Sequence, residues 1–121
     1  MIPPNAGIEG IDKIIKEVKN HGQIPALGVL KTFGDIKSVG MMSFPREGLT
    51  MTLDFQNKGV KTLKFFEKLD NIVMDYGGAL YPAKDARMSK KVFVNSFPNL
   101  SEFSNFIDPK FSSSFWRRVN N

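Results

Sequence analysis

Leu49-Thr50-Met51-Thr52-Leu53-Asp54-Phe55 alternates apolar and polar side chains without a break, the period-two pattern of a strand with one face buried and one face wet. Successive side chains of a strand point to opposite faces, so Thr52 stands on the face opposite Leu53 and Phe55. Upstream, Gly34 to Gly48 holds three glycines and Pro45 and reads as a long loop. Before it, Pro25 to Phe33 is strand-like, with Leu27, Val29, Lys31 and Phe33 sharing one face. Residues 7–21 read as an amphipathic helix: Ile8, Ile11, Ile15 and Val18 recur at spacings of three and four, against Lys13, Lys16, Glu17 and Lys19. Gly22 is placed to end that helix in a left-handed cap.

Downstream of the strand, a second helix is predicted from about Val60 to Tyr76, with Leu63, Phe66, Leu69, Val73 and Tyr76 turned inward and Gly77-Gly78 closing it. Ala79 to Tyr81 reads as a short strand, and Asn99-Leu100-Ser101-Glu102 has the spacing of a capping box that opens a last helix. With a strand at or before Ile2, shortened because only Met1 and Ile2 precede Pro3-Pro4, the order becomes β-α-β-β-α-β followed by small helices. That is an α+β class, the ferredoxin-like pattern of two crossovers on an antiparallel sheet.

Composition narrows the classes. A chain of 121 residues with 41% hydrophobic and 24% charged residues is one domain with enough apolar content for a single core. Eleven phenylalanines load that core heavily, and any left outside it would serve a surface that covers another domain. The absence of cysteine excludes disulfides, thiolate catalysis and cysteine-ligated metal. The one histidine, His21, falls where a helix should end, where a cation suits the helix dipole; no metal site is expected around it. A net charge of +5 could serve nucleic acid, an anionic membrane surface or an anionic ligand, but the lysines and arginines are scattered over helix faces and form no basic run. No stretch is apolar enough to span a bilayer and no signal segment opens the chain, which makes the cytoplasm the expected location.

The densest cluster of functional groups is Gly78-Ala79-Leu80-Tyr81-Pro82-Ala83-Lys84-Asp85-Ala86-Arg87. It resembles the Gly-Arg-Leu-Tyr-x-Ala-Lys-Asp-Ser-Arg stretch of FAD-linked oxidoreductases in the decaprenylphosphoryl-ribose oxidase branch of the vanillyl-alcohol oxidase superfamily. Further similar stretches follow in the same order: Ile2-Pro3-Pro4, Leu30 to Gly34, Leu49 to Phe55, Phe97 to Leu100, Ile107 to Lys110 and Arg117-Arg118. The resemblance covers nearly the whole chain, but only about the last quarter of such an enzyme. It therefore implies a C-terminal piece: residues 1–80 as the C-terminal half of a substrate (cap) domain, and 81–121 as a segment returning to the FAD-binding domain. FAD would be bound mainly by that other domain, in the same polypeptide or in a partner chain. Any histidine that tethers flavin belongs there too, so His21 is not cast in that role.

The resemblance also assigns roles. Lys84 would lie beside the pyrimidine end of the flavin, where a fixed cation stabilises the charge that develops on hydride acceptance; the plain alternative is a solvated loop lysine. Tyr81 would enter the substrate pocket, stacking on a sugar and hydrogen-bonding to it, or else be an interfacial tyrosine. Lys31 would contact substrate; as one lysine among apolar neighbours it either snorkels to the edge or points into a polar cavity. Phe33 lines the same pocket or the core, and Thr52 takes a substrate-facing position that is cysteine in mycobacterial relatives. Arg87 is a cofactor-side candidate; Arg87 and Asp85 pair either with each other or with the flavin domain, and the structural reading is that both hold the loop in shape. The pattern departs at Ala86, where the family has serine, and at Ser113 to Arg118, where it has Ser-Asp-Met-Ala-Arg-Arg. The implied reaction oxidises a secondary alcohol of a sugar or polyol by hydride transfer to FAD, with no nucleic acid involved. The competing reading is a free-standing basic βαββαβ module that binds RNA or protein. Against RNA, Leu49 to Phe55 offers threonines where stacking rings should be, and the aromatic RNA-recognition strand is missing.

Overall fold

The computed structural model describes residues 1–83 and 87–120. A short 3-10 turn, Pro4–Ala6, leads into α1 (Gly7–His21); β1 (Leu27–Phe33), β2 (Gly48–Asp54) and α2 (Val60–Asp75) follow. Three small helices close the chain: α3 (Lys90–Ser96), α4 (Leu100–Ser104) and α5 (Ser114–Asn120). The fold is α+β, and no described helix is long and apolar enough to cross a membrane.

α1 has Glu9 in its first turn and Lys19 in its last, each charge complementing the helix dipole, and His21 is its final residue. Gly22, at φ 75°, ends it by donating its N–H to the carbonyls of Val18 and Lys19. The buried stripe is Gly7, Gly10, Ile11 and Ile14, so the expected inward positions Ile8 and Ile15 are instead exposed. The glycines explain the rotation. A methyl group on Gly10 would meet Ile2 and the ring of Tyr76 at 3.0–3.2 Å, so the helix approaches the sheet along its side-chain-free line. A count of apolar residues gives no weight to glycine and misplaces the face.

α2 is rotated for a different reason. Thr62, not Leu63, is buried, because its hydroxyl accepts the N–H of Lys58 at 2.9 Å and donates to the carbonyl of Gln56, closing the first turn. The stripe therefore runs through Thr62, Phe65, Asp70 and Val73, while Leu63 is exposed and Phe66 only partly covered. Phe65 stacks on His21 with ring centroids 3.8 Å apart and meets Phe55 edge-on, tying the end of α1 to α2. His21 is thus a packing residue, with Nε2 buried and unpartnered among the described residues.

β1 and β2 pair antiparallel with Leu27 opposite Asp54 and Phe33 opposite Gly48. Ile2 exchanges both backbone hydrogen bonds with Leu49 (2.7 and 2.9 Å), and Met1 exchanges both with Ala79 (2.7 and 3.0 Å). Reciprocal exchange marks an antiparallel hydrogen-bonded pair. Across the sheet the order is therefore Ala79, Met1–Ile2, β2, β1, the neighbour order of the ferredoxin-like pattern, realised as two regular strands and two single-pair contacts. The strand expected at Ala79–Tyr81 does not form, and only Ala79 pairs, with Met1. The next N–H, that of Leu80, goes to Ser96 Oγ at 3.1 Å, and Pro82 has no N–H to give.

Two apolar clusters fill the molecule. Ile2, Ile11, Ile14 and Val73, with Leu49, Met51 and Leu53, form the core between helices and sheet. Met88, Val92, Phe93, Phe97 and Val119, with Phe115 and Trp116, form the second beneath α3 and α5. Leu80 packs against both. The last helix is α5 rather than α4, its first turn braced by Ser113 Oγ accepting the N–H of Trp116. The expected capping box does not form, since the side chain of Asn99 makes no cap bond. Ser89 instead caps α3, accepting the Val92 N–H at 3.3 Å.

Candidate functional site

Leu49, Met51 and Leu53 face α1 and α2, so alternation puts Thr50 and Thr52 of β2 on the opposite face, with Val29, Lys31 and Phe33 of β1. Thr52 is directly across from Val29, Thr50 from Lys31, and Thr52 and Lys31 are diagonal neighbours. Lys31 and Thr52 are exposed and Phe33 is half-buried. Lys31 thus meets solvent rather than a closed cavity.

Phe33 lies opposite Gly48, which offers no side chain, and its ring meets that of Phe44 edge-on, centroids 6.4 Å apart. Phe44 in turn contacts Tyr81 at 5.1 Å. A row of three rings therefore joins the end of β1 to the segment after Ala79, across the loop that precedes β2. Tyr81 keeps 62% of its surface exposed, so its phenol is available to a ligand. Arg46 fastens the loop: its Nη2 donates to the carbonyl of Ser96 at 2.5 Å and its Nε to the carbonyl of Phe44 at 3.4 Å. Burial pulls the Arg46 guanidinium below its ordinary pKa, and it remains charged at neutral pH. The buried Ser96 also holds Leu80, the residue before Tyr81, so one serine anchors both sides of the ring row.

Arg87 is placed elsewhere. It makes a two-pronged bond to Asp70 of α2, at 2.5 and 2.8 Å, and its guanidinium lies 4.9 Å from the Phe66 ring centroid. A cleft of about 340 Å³ between α2 and α3 is lined by this pair together with Glu67 and Lys91, and by none of the sheet-face residues. Lys84, Asp85 and Ala86 lie outside the described residues. Of the sequence-predicted site residues, Lys31, Phe33 and Thr52 share one face, and Tyr81 joins them through Phe44. Phe44, Arg46 and Ser96 were not foreseen. The sequence signal for Phe44 and Arg46 is an aromatic and an arginine either side of Pro45; Ser96 carries none.

Fold and site together define a small α+β domain with one sheet face that presents Lys31 and Thr52 to solvent, with Phe33 at the head of a row of rings that continues through Phe44 to Tyr81. No family model matches the sequence. Among curated proteins it is similar to decaprenylphosphoryl-beta-D-ribose oxidase of Mycolicibacterium smegmatis, with 31% identity over 123 aligned positions, which cover 98% of this chain and 26% of that protein. It is also similar to an uncharacterized protein in the mprA 5′ region of Streptomyces coelicolor: 28% identity over 111 positions, 88% of this chain and 30% of that one. The chain spans less than a third of the length of either relative.

Proposed function

We propose that this chain is the substrate-side portion of an FAD-dependent oxidoreductase that oxidises a secondary alcohol of a sugar or polyol. Residues 1–80 would be the C-terminal half of its substrate domain and 81–121 a segment returning to the FAD-binding domain. The single observation that carries the reading is the meeting of Lys31, Phe33 and Thr52 on one open face with Tyr81 beside them. The similarity to an oxidase named for a ribosyl substrate supports it.

When bound, FAD would supply the hydride acceptance. The chain's own residues would do the rest. Phe33 and Tyr81 present ring faces and edges to the apolar side of a sugar, and the Tyr81 phenol both donates and accepts. Lys31 offers three donors, and the Thr52 hydroxyl can satisfy a neighbouring sugar hydroxyl in either sense. Lys84 would supply a fixed cation where negative charge grows. Arg87, braced on Asp70, would pin the far end of the Tyr81–Arg87 segment. These groups suit one edge of a flavin and the substrate in front of it. They do not suit its diphosphate, because the chain carries no glycine-rich phosphate loop.

The test uses the flavoprotein of which this chain is a part. Lys84→Ala should keep the bound-flavin absorbance yet slow flavin reduction by a sugar substrate about 100- to 1000-fold, the cost of losing one preorganised donor. An unchanged reduction rate would remove Lys84 from the mechanism. The 121-residue chain by itself should emerge from gel filtration without stoichiometric flavin; retention would overturn the assignment of FAD binding to another domain.

A further inference from the structure

We propose that Phe44 is a positioning residue for Tyr81, seated by the Arg46–Ser96 contact, so that the loop before β2 forms a third side of the ligand face. The inference rests on the reading of that face as a substrate site. Tyr81 is mostly exposed and follows a segment whose strand pairing ends at Ala79, so the sheet does not fix its ring. The ring contact recorded for it is with Phe44, at 5.1 Å and tilted by 53°. Phe44 is itself held on several sides: it meets Phe33 edge-on, packs against the Met88–Phe97 core, and gives its carbonyl to Arg46 Nε. Arg46 closes the link by donating to the carbonyl of Ser96, whose Oγ accepts the N–H of Leu80. The loop and the backbone leading to Tyr81 are thereby tied to the same residue. An aromatic ring packed obliquely on another gains energy from its orientation as well as its area, which an aliphatic side chain of similar volume cannot reproduce.

That difference supplies the test. In the 121-residue chain, Phe44→Leu retains apolar volume for the core while removing the ring, and Phe44→Tyr retains the ring. The Tyr81 ring-proton resonances should move toward their unstructured values in Phe44→Leu and in Arg46→Ala, and return in Phe44→Tyr. The melting temperatures of Phe44→Leu and Phe44→Tyr should meanwhile stay close. Tyr81 resonances that do not respond to Phe44→Leu, or that respond equally to Phe44→Tyr, would overturn the proposal. This readout needs no ligand. Titration of the unsubstituted chain with ribose 1-phosphate, followed at Lys31 and Thr52, tests the substrate reading separately, so either can fail alone. In the flavoprotein, Phe44→Leu should raise KM for the sugar substrate several-fold with kcat little changed, whereas a purely structural loss would lower active enzyme without altering KM.

Discussion

Arg87 is held on two sides, by the carboxylate of Asp70 and by the face of Phe66, and the chemistry of both contacts is strong. A two-pronged guanidinium–carboxylate bond is charge-assisted and directional, and its Asp70 side chain is only 6% exposed. Asp70→Ala should therefore cost about 2–3 kcal/mol in urea unfolding, since it removes the two-pronged, nearly buried acceptor of the Arg87 guanidinium. Asp70→Asn keeps the shape and one acceptor but not the charge, so a loss close to that of Asp70→Ala is expected if charge carries the contact; a much smaller loss would mean that packing and neutral hydrogen bonding carry it. In the 121-residue chain taken by itself, the amino group of Met1 offers a pH readout at the same scale. It donates to Ala79, and burial first, then the nearby Arg46 cation, pulls its pKa from 8.0 down to about 6. Between those values the unfolded chain holds more protons than the folded one, so stability should rise as pH climbs from 6 to 8. Below 6 the loss should reach on the order of 2 kcal/mol. Acetylation of the 121-residue chain should flatten that slope, as read by denaturation at stepped pH. The resemblance named Lys31, Phe33 and Thr52, and a strand's period of two placed Lys31 with Phe33 on one strand and Thr52 opposite Leu53 on the other; that the three share a face was settled by the β1–β2 register. Phe44 was not legible, because no periodicity governs a loop.

At the scale of elements, the meeting of Ile2 with β2 depends on Gly48. Its φ of 144° lies outside the range that suits L side chains, and a Cβ there would collide with the carbonyl of Ile2. Gly48→Ala should cost about 2–4 kcal/mol and raise the exchange rate of the Ile2 and Leu49 amides above that of the β1–β2 ladder. Uniform acceleration across the sheet would instead show that the sheet opens as one unit. α3 rests on a smaller device: Ser89→Ala removes its cap and should cost about 1 kcal/mol by thermal unfolding. The extents of α1 and α2 matched the sequence reading to within a residue, because glycine caps and apolar spacing act locally. Their buried faces matched in part: Ile11 and Val73 are buried as expected, while Ile8, Ile15 and Leu63 are exposed. Gly10 was chosen by its closeness to Ile2 and Tyr76, and Thr62 by its bonds around Lys58, and both are matters of neighbours.

At the scale of the whole molecule, two cores meet at Leu80, which touches both. Leu80→Ala should remove about 2 kcal/mol and uncouple them. Trp116 belongs to the C-terminal core, so its fluorescence should then report an earlier transition than far-ultraviolet circular dichroism, whereas the two coincide in the unsubstituted chain. Coincident transitions in the variant would mean that the loop before β2, through Met42 and Phe44, couples the cores without Leu80. The similarity to an oxidase that is about four times longer bears on this scale too, because the exposed Phe106, Phe111, Ile8 and Ile36 are apolar groups that neither core claims. The sequence by itself determined the α+β class, the order of the main elements and which residues within each strand share a face. Those follow from short-range periodicity and from backbone rules that hold in any context. The tertiary structure alone decided that Tyr81 joins the face of Lys31, Phe33 and Thr52 through Phe44, that Arg87 turns to Asp70, and that Ala79 rather than a full strand closes the sheet. Each of these depends on which distant group reaches a given hydrogen bond or ring first, and chain spacing carries no record of that competition.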